Sequence, residues 1–149
     1  MLRATVVVRR SVVGTDTIAD RMTLTYDQRH RRRMAMTADG GLSFLLDLET
    51  ATVLDDGDVV RLEDGRVVEV KAAPERLIEI RAEGPQLKRI IWHLGNRHVP
   101  AEIADEAVYI AEDHVLSEMV RGLGATATSV TRPFRPERGA YHNGHGHAH

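Results

Sequence analysis

The sequence predicts an α+β chain in three parts: an all-β domain over residues 1–73, a βαββαβ domain over 74–132, and a flexible histidine-rich tail over 133–149. Three observations carry this. Before residue 74 the apolar residues fall in short β-branched runs broken by turn formers, and no stretch has helical periodicity. After it, two stretches place apolar residues at i, i+3, i+4 and i+7, the stripe of a helix with one buried face. The chain then ends "YHNGHGHAH", where four of its eight histidines sit among glycine and alanine. Such a segment has too little apolar surface to offset the entropy of ordering its backbone.

The elements follow in order. "RATVVVRR" is β-branched and bounded by charge, and "RMTLTYD" alternates Met22, Leu24 and Tyr26 with Thr23 and Thr25, the period of a strand. "RRRMAMTADGGLSFLLDL" reads as two runs joined at Asp39-Gly40-Gly41. "VVRLEDGRVVEV" is the clearest hairpin, because Asp-Gly suits the primed turns that match strand twist. "RLIEIRA" opens the second half as a strand. "GPQLKRIIWHLG" follows as a helix, with Pro85 in its first turn, Leu87, Ile90, Ile91 and Leu94 inward, and Gly95 as the expected left-handed cap. "HVPAEI" and "EAVYIAE" are short strands. "DHVLSEMVRGLG" is the second helix, with Asp113 as N-cap, Leu116, Met119, Val120 and Leu123 inward, and Gly122 or Gly124 at its end. "ATATSVTRPF" closes the domain, and β-α-β-β-α-β is the split βαβ, or ferredoxin-like, order.

Composition narrows the chemistry. Hydrophobic residues make up 42% and charged ones 28%, the balance of a globular protein. Two domains of this size bury a small share of their surface, so association into an oligomer is expected. A formal charge of −2 supplies no field for nucleic acid or an anionic membrane. No apolar run reaches the roughly 20 residues of a membrane span, and the N-terminus lacks a signal-peptide pattern, so a cytoplasmic location is expected. With no cysteine, any metal must be held by imidazole or oxygen.

No nucleophile elbow, phosphate loop or His-Glu-x-x-His pair is present, so the chain is expected not to be an enzyme. Taken singly, His93 near a helix end reads equally as a polar helix-end residue or a ligand, whereas His98 in the turn that follows reads first as a hydrogen-bonding turn residue and His114 in the first turn of the second helix as a solvated helix residue. "QRHRRR", Gln28 to Arg33, reads as a turn and strand start with solvated arginines, and docking to an acidic protein surface is its functional alternative. The tail is different. His142, His145, His147 and His149 with intervening glycines can wrap several imidazoles around one nickel, zinc or copper ion.

Four segments in order, "LTYDQRHRRRMAMTADG", "LDDGDVVRLEDGRVVEVKA", "HLGNRHVPAEI" and "DHVLSEMVRGLG", together with the histidine-rich terminus, resemble the urease accessory protein E family of nickel metallochaperones over essentially the whole chain. The resemblance implies a homodimer joined through the ferredoxin-like domains, with the Gly-Asn-Arg-His histidine, His98, meeting its counterpart across the interface on a shared ion. It implies that tail histidines complete the shell and that His93 and His114 are subsidiary surface ligands. The cargo implied is Ni(II), with Zn(II) or Cu(II) expected on the same ligands in vitro. The partners implied are the urease GTPase accessory protein and the urease apoprotein. Nickel storage without dedicated delivery is the alternative.

Overall fold

The computed structural model describes residues 1–139 other than Val13, Thr15 and Asp16. These divide into two compact units, Met1–Ala73 and the residues from Pro74 onward.

The first unit is one six-stranded sheet with strand order β2-β6-β5-β1-β4-β3, comprising β1 (Arg3–Val8), β2 (Ile18–Leu24), β3 (His30–Thr37), β4 (Ser43–Val53), β5 (Val59–Leu62) and β6 (Val67–Ala72). Both hairpins read from sequence are present: β3 pairs antiparallel with β4, and β5 with β6. Gly65 takes φ +92° at the second turn, where the left-handed region would oppose any side chain. Two pairings are parallel, β1 with β4 and β2 with β6. The core gathers Met22, Phe44, Leu46, Leu54, Val60 and Val68, all at 2% exposure or less. Asp58, 1% exposed, holds the approach to β5. Its carboxylate accepts from the backbone amides of Arg10 and Asp55 and pairs with the Arg9 guanidinium at 2.7 Å, so the buried charge is fully engaged.

One reading of the basic run is corrected. Arg29 is not a solvated arginine but is buried to 1%. Its guanidinium lies over the Tyr26 ring, 5.4 Å from the centroid, and donates to the Leu54 carbonyl at 3.4 Å. A short 3-10 turn, Asp27–Arg29, tucks the side chain inward just before β3 begins. The exposed basic surface is therefore Arg32 and Arg33, with Arg31 half-buried.

The second unit is a four-stranded antiparallel sheet of order β10-β7-β9-β8 carrying two helices. Its elements are β7 (Pro74–Arg81), α1 (Gly84–Asn96), β8 (Glu102–Ile103), β9 (Ala107–Ala111), α2 (His114–Gly122) and β10 (Thr126–Pro133). In βαββαβ numbering the order is 4-1-3-2, the arrangement predicted from the element sequence. Ile78 and Ile80 of β7 and Val108 and Ile110 of β9 face one side, where Leu87, Ile90 and Leu94 of α1 and Val120 of α2 pack on them. Each fully buried aliphatic side chain there contributes about 1.5–3 kcal/mol. Asp113 caps α2, its Oδ1 accepting from the Leu116 amide at 2.9 Å. The Gln86 side-chain amide donates to the Leu123 carbonyl, tying the start of α1 to the end of α2.

The expected tail from residue 133 fails in its first residues. Pro133 pairs with Pro74 as the last register position of β10, and Phe134 is 1% exposed. Beyond it, the Arg135 amide donates to Glu102 Oε1 and the Glu137 amide to the Ala101 carbonyl, each at 2.8 Å. One buried aromatic, Phe134, thus orders a Pro/Arg-rich segment whose average composition argues otherwise. Among the described residues no helix is long and apolar enough to cross a membrane.

Candidate metal centre

The end of α1 sets the position of the central histidine. Helix α1 runs through Gly95 to Asn96, and the chain reverses only after Arg97. The Val99 amide donates to the Leu94 carbonyl and the His98 amide to the Gly95 carbonyl, both at 3.0 Å. Those two bonds define a Schellman motif with His98 at the left-handed position, and its φ is +57°. Among the described residues it is the only non-glycine with positive φ. The expectation that Gly95 caps the helix in the left-handed conformation is thereby corrected, since Gly95 is helical. Val99 packs on the core that contains Leu94, the hydrophobic contact that accompanies this motif and fixes where it forms.

Helix α2 ends in the same way with a different residue. The Ala125 amide donates to the Val120 carbonyl and the Gly124 amide to Arg121, again at 3.0 Å, and Gly124 has φ +92°. Two helices of one domain thus share one cap geometry, filled by glycine in α2 and by histidine in α1. The left-handed conformation costs an L-residue about 1–2 kcal/mol that glycine does not incur. His98 itself is exposed.

The other histidines fall apart from a common centre. His93 is half-buried in the last turns of α1, its ring edge-on to Trp92 with centroids 5.2 Å apart. Trp92 is 64% exposed, so the pair presents an aromatic surface to solvent. His114 is the exposed first residue of α2, beside the Asp113 cap. His30, in the first unit, stands edge-on to Tyr26 and bonds the Tyr26 carbonyl through Nδ1 at 2.9 Å. Among the described residues no three histidine, aspartate or glutamate side chains converge as a metal-holding group. His142, His145, His147 and His149 lie outside the described residues.

Sequence reasoning missed the clasp at Glu102. Its Oε2 accepts from Arg132 Nη2 and its Oε1 from the Arg135 amide, both at 2.8 Å. The Arg132 guanidinium lies 3.9 Å from the centroid of Tyr109, whose hydroxyl donates to Glu79 at 3.0 Å. The Arg81 guanidinium and the Tyr109 hydroxyl hold the Glu79 carboxyl below the usual carboxylate range. No residue pattern marked it, because the contacts arise only once β8 pairs with β9 and sets Glu102 opposite Tyr109.

Comparison with known proteins places both units. The family model described as the N-terminal domain of UreE urease accessory protein matches residues 10–73, and that of the C-terminal domain matches residues 75–149. A protein named urease accessory protein UreE from Azorhizobium caulinodans is 58% identical across 100% of this chain, which covers 74% of its length. One of the same name from Rhodopseudomonas palustris (strain HaA2) is 58% identical over 85% of this chain, which covers 60% of that protein. A third, from Chelativorans sp., is 49% identical over 99% of this chain and is covered to 94%.

Proposed function

The chain belongs to the UreE family of urease accessory proteins, and on that premise we propose that it is a nickel metallochaperone that delivers Ni(II) to the urease apoprotein. It works as a homodimer in which His98 from each copy meets one shared ion. The observation that carries this reading is the backbone at His98. An imidazole stands where the cap motif favours glycine, at a cost in stability, and stands exposed. Strain of this kind persists where a side chain has a use that offsets it.

The chemistry of delivery follows from an incomplete ligand set. Two imidazoles facing each other leave coordination positions open on an ion that accepts nitrogen ligands readily. Tail histidines His142, His145, His147 and His149 fill those positions one at a time and vacate them one at a time. A partner with a fuller ligand set then takes the ion by stepwise exchange, without any step that strips all ligands at once. The urease GTPase accessory protein, in complex with the apoprotein, is that partner. His93 and His114 act as subsidiary surface ligands. Affinity order alone favours Cu(II) over Ni(II), so selectivity rests on metal supply and partner choice. The cytoplasm is the compartment of this activity. The region over 74–132 supplies dimerisation and metal binding, and the β region over 1–73 supplies contact with the other components, with Arg31, Arg32 and Arg33 as candidate contacts for an acidic surface.

Equilibrium dialysis with Ni(II) tests the centre. His98→Ala is expected to remove the shared ion, reducing stoichiometry by one ion per dimer while the fold stays intact; unchanged stoichiometry and affinity would refute the assignment. Capture of the urease GTPase accessory protein by the nickel-loaded dimer separates delivery from storage, because a storage protein forms no such complex.

Binding is also expected to depend on pH. Only neutral imidazole binds the ion, free imidazole titrates near about 6.5, and each protonated ligand must release a proton first. Affinity for Ni(II) should therefore be full at about pH 7.5 and fall steeply by about pH 5.5. A flat profile over that interval would mean that carboxylates, not histidines, hold the metal.

A further inference from the structure

We propose that Val99 is a positioning residue for the nickel site: its seat on the second core holds the end of α1 so that His98, and not Gly95, takes the left-handed position. This rests on the reading of His98 as a metal ligand given above. Two caps compete within "LGNRHVP". In the one observed, Val99 follows the left-handed residue and packs against the core that contains Leu94. In the other, Gly95 would be left-handed and α1 would end three residues earlier. Asn96 would then stand where Val99 now stands, opposite Ile91. Asparagine cannot supply the apolar contact that closes such a cap.

Local backbone preference favours the second cap. Glycine takes positive φ without penalty and weakens a helix in which it stays helical, whereas histidine is strained at positive φ. The observed cap therefore carries an unfavourable residue at both positions, a helical Gly95 and a left-handed His98 with φ +57°. What opposes this preference is tertiary. Val99 is half-buried against the second core, and Pro100 after it restricts it to the extended backbone by which the chain leaves the helix. A Cβ built at Gly95 would meet no atom within 4 Å, so packing around α1 does not call for glycine there. The imidazole is thus held in one backbone state by a contact made one residue further on. A site that is competent in only a fraction of molecules binds more weakly by that fraction, so the Val99 contact bears directly on affinity.

The test is a set of variants of the full chain with two readouts. One is Ni(II) affinity by competition with a chromophoric chelator; the other, without metal, is the backbone state of residues 95–98 by NMR coupling constants and chemical shifts. Val99→Ala is expected to lower the affinity about three- to tenfold and to move positive φ from His98 to Gly95 in a matching fraction of molecules. Adding Gly95→Ala makes the competing cap as strained as the native one, so the double variant should return to within about twofold of wild type. Val120→Ala trims the same core from α2 and should destabilise the domain with no change in affinity. Should Val99→Ala not fold, Val99→Thr keeps the shape and weakens the apolar contact, and the same pattern is expected at smaller amplitude. Unchanged affinity, a cap that stays wholly at His98, or a loss that Gly95→Ala does not rescue overturns the proposal. Nickel binding that ignores His98→Ala overturns the parent reading instead, while the cap shift in the metal-free chain is still decided by its own coupling constants.

Discussion

His98→Gly is expected to make the metal-free protein more stable while removing the nickel site proposed at that residue. The two helix ends of the second domain supply the reason. Both close with the same pair of backbone bonds, and Gly124 occupies in α2 the position that His98 occupies in α1. Replacing the imidazole with glycine relieves a left-handed backbone penalty of about 1–2 kcal/mol, partly offset by the greater freedom glycine gives the unfolded chain. A net gain of about 1 kcal/mol remains, which for a domain of this size raises the midpoint of its thermal transition by about 4–8 °C. His98→Ala is the control, since alanine keeps the backbone penalty and loses the ligand. With chelator present, the glycine variant should melt above wild type and the alanine variant near it. With Ni(II) present, wild type should gain stability that grows with the logarithm of the metal concentration above its Kd, and neither variant should match that gain. A glycine variant that melts below wild type without metal would show that the His98 side chain stabilises the turn, and the strain argument for its function would fall.

Much of the architecture was legible from residue pattern because local preference and global fold agree. Asp64-Gly65 flanked by Val59–Leu62 and Val67–Ala72 could hardly be other than a hairpin, and the Leu87, Ile90, Leu94 stripe leaves α1 one face to bury. What was hidden depends on partners distant in sequence. Nothing in the β-branched runs specifies that β1 pairs parallel with β4, or β2 with β6. Arg29 looks like its neighbours until the 3-10 turn aims it inward toward Tyr26 and Leu54. At the end of α1 the glycine rule pointed to Gly95, yet the cap is set by the hydrophobic spacing from Leu94 to Val99. The same spacing recurs from Val120 to Ala125. That five-residue interval was the available signal, and it outranks the nearest glycine. At the candidate centre, residue type identified His98 but not its backbone, and Glu102 carried no mark of its contacts.

Phe134→Ala is expected to cost the second domain about 3–5 kcal/mol, the usual loss when a buried phenylalanine is cut to a methyl group. The surrounding sequence, "TRPFRPERGAY", has the composition of a linker, and a substitution in a solvated linker would change stability by no more than about 0.5 kcal/mol. The two accounts therefore differ several-fold in a single number. Phe134 is 1% exposed, follows the Pro133–Pro74 register position directly, and precedes the two amides bound by Glu102 and Ala101. Its ring is the apolar anchor of a segment otherwise held by polar contacts at an edge strand. Removing it leaves a cavity under Arg132 to Glu137 and frees the tail to depart from β10. Urea denaturation of the second domain should show a lowered midpoint with an unchanged slope, and amide exchange at Glu137 should accelerate with it. Because His98 is held by the α1 cap and not by this segment, the Phe134→Ala protein should still bind the ion proposed at His98. A loss of stability within about 0.5 kcal/mol would return residues 133–139 to the tail.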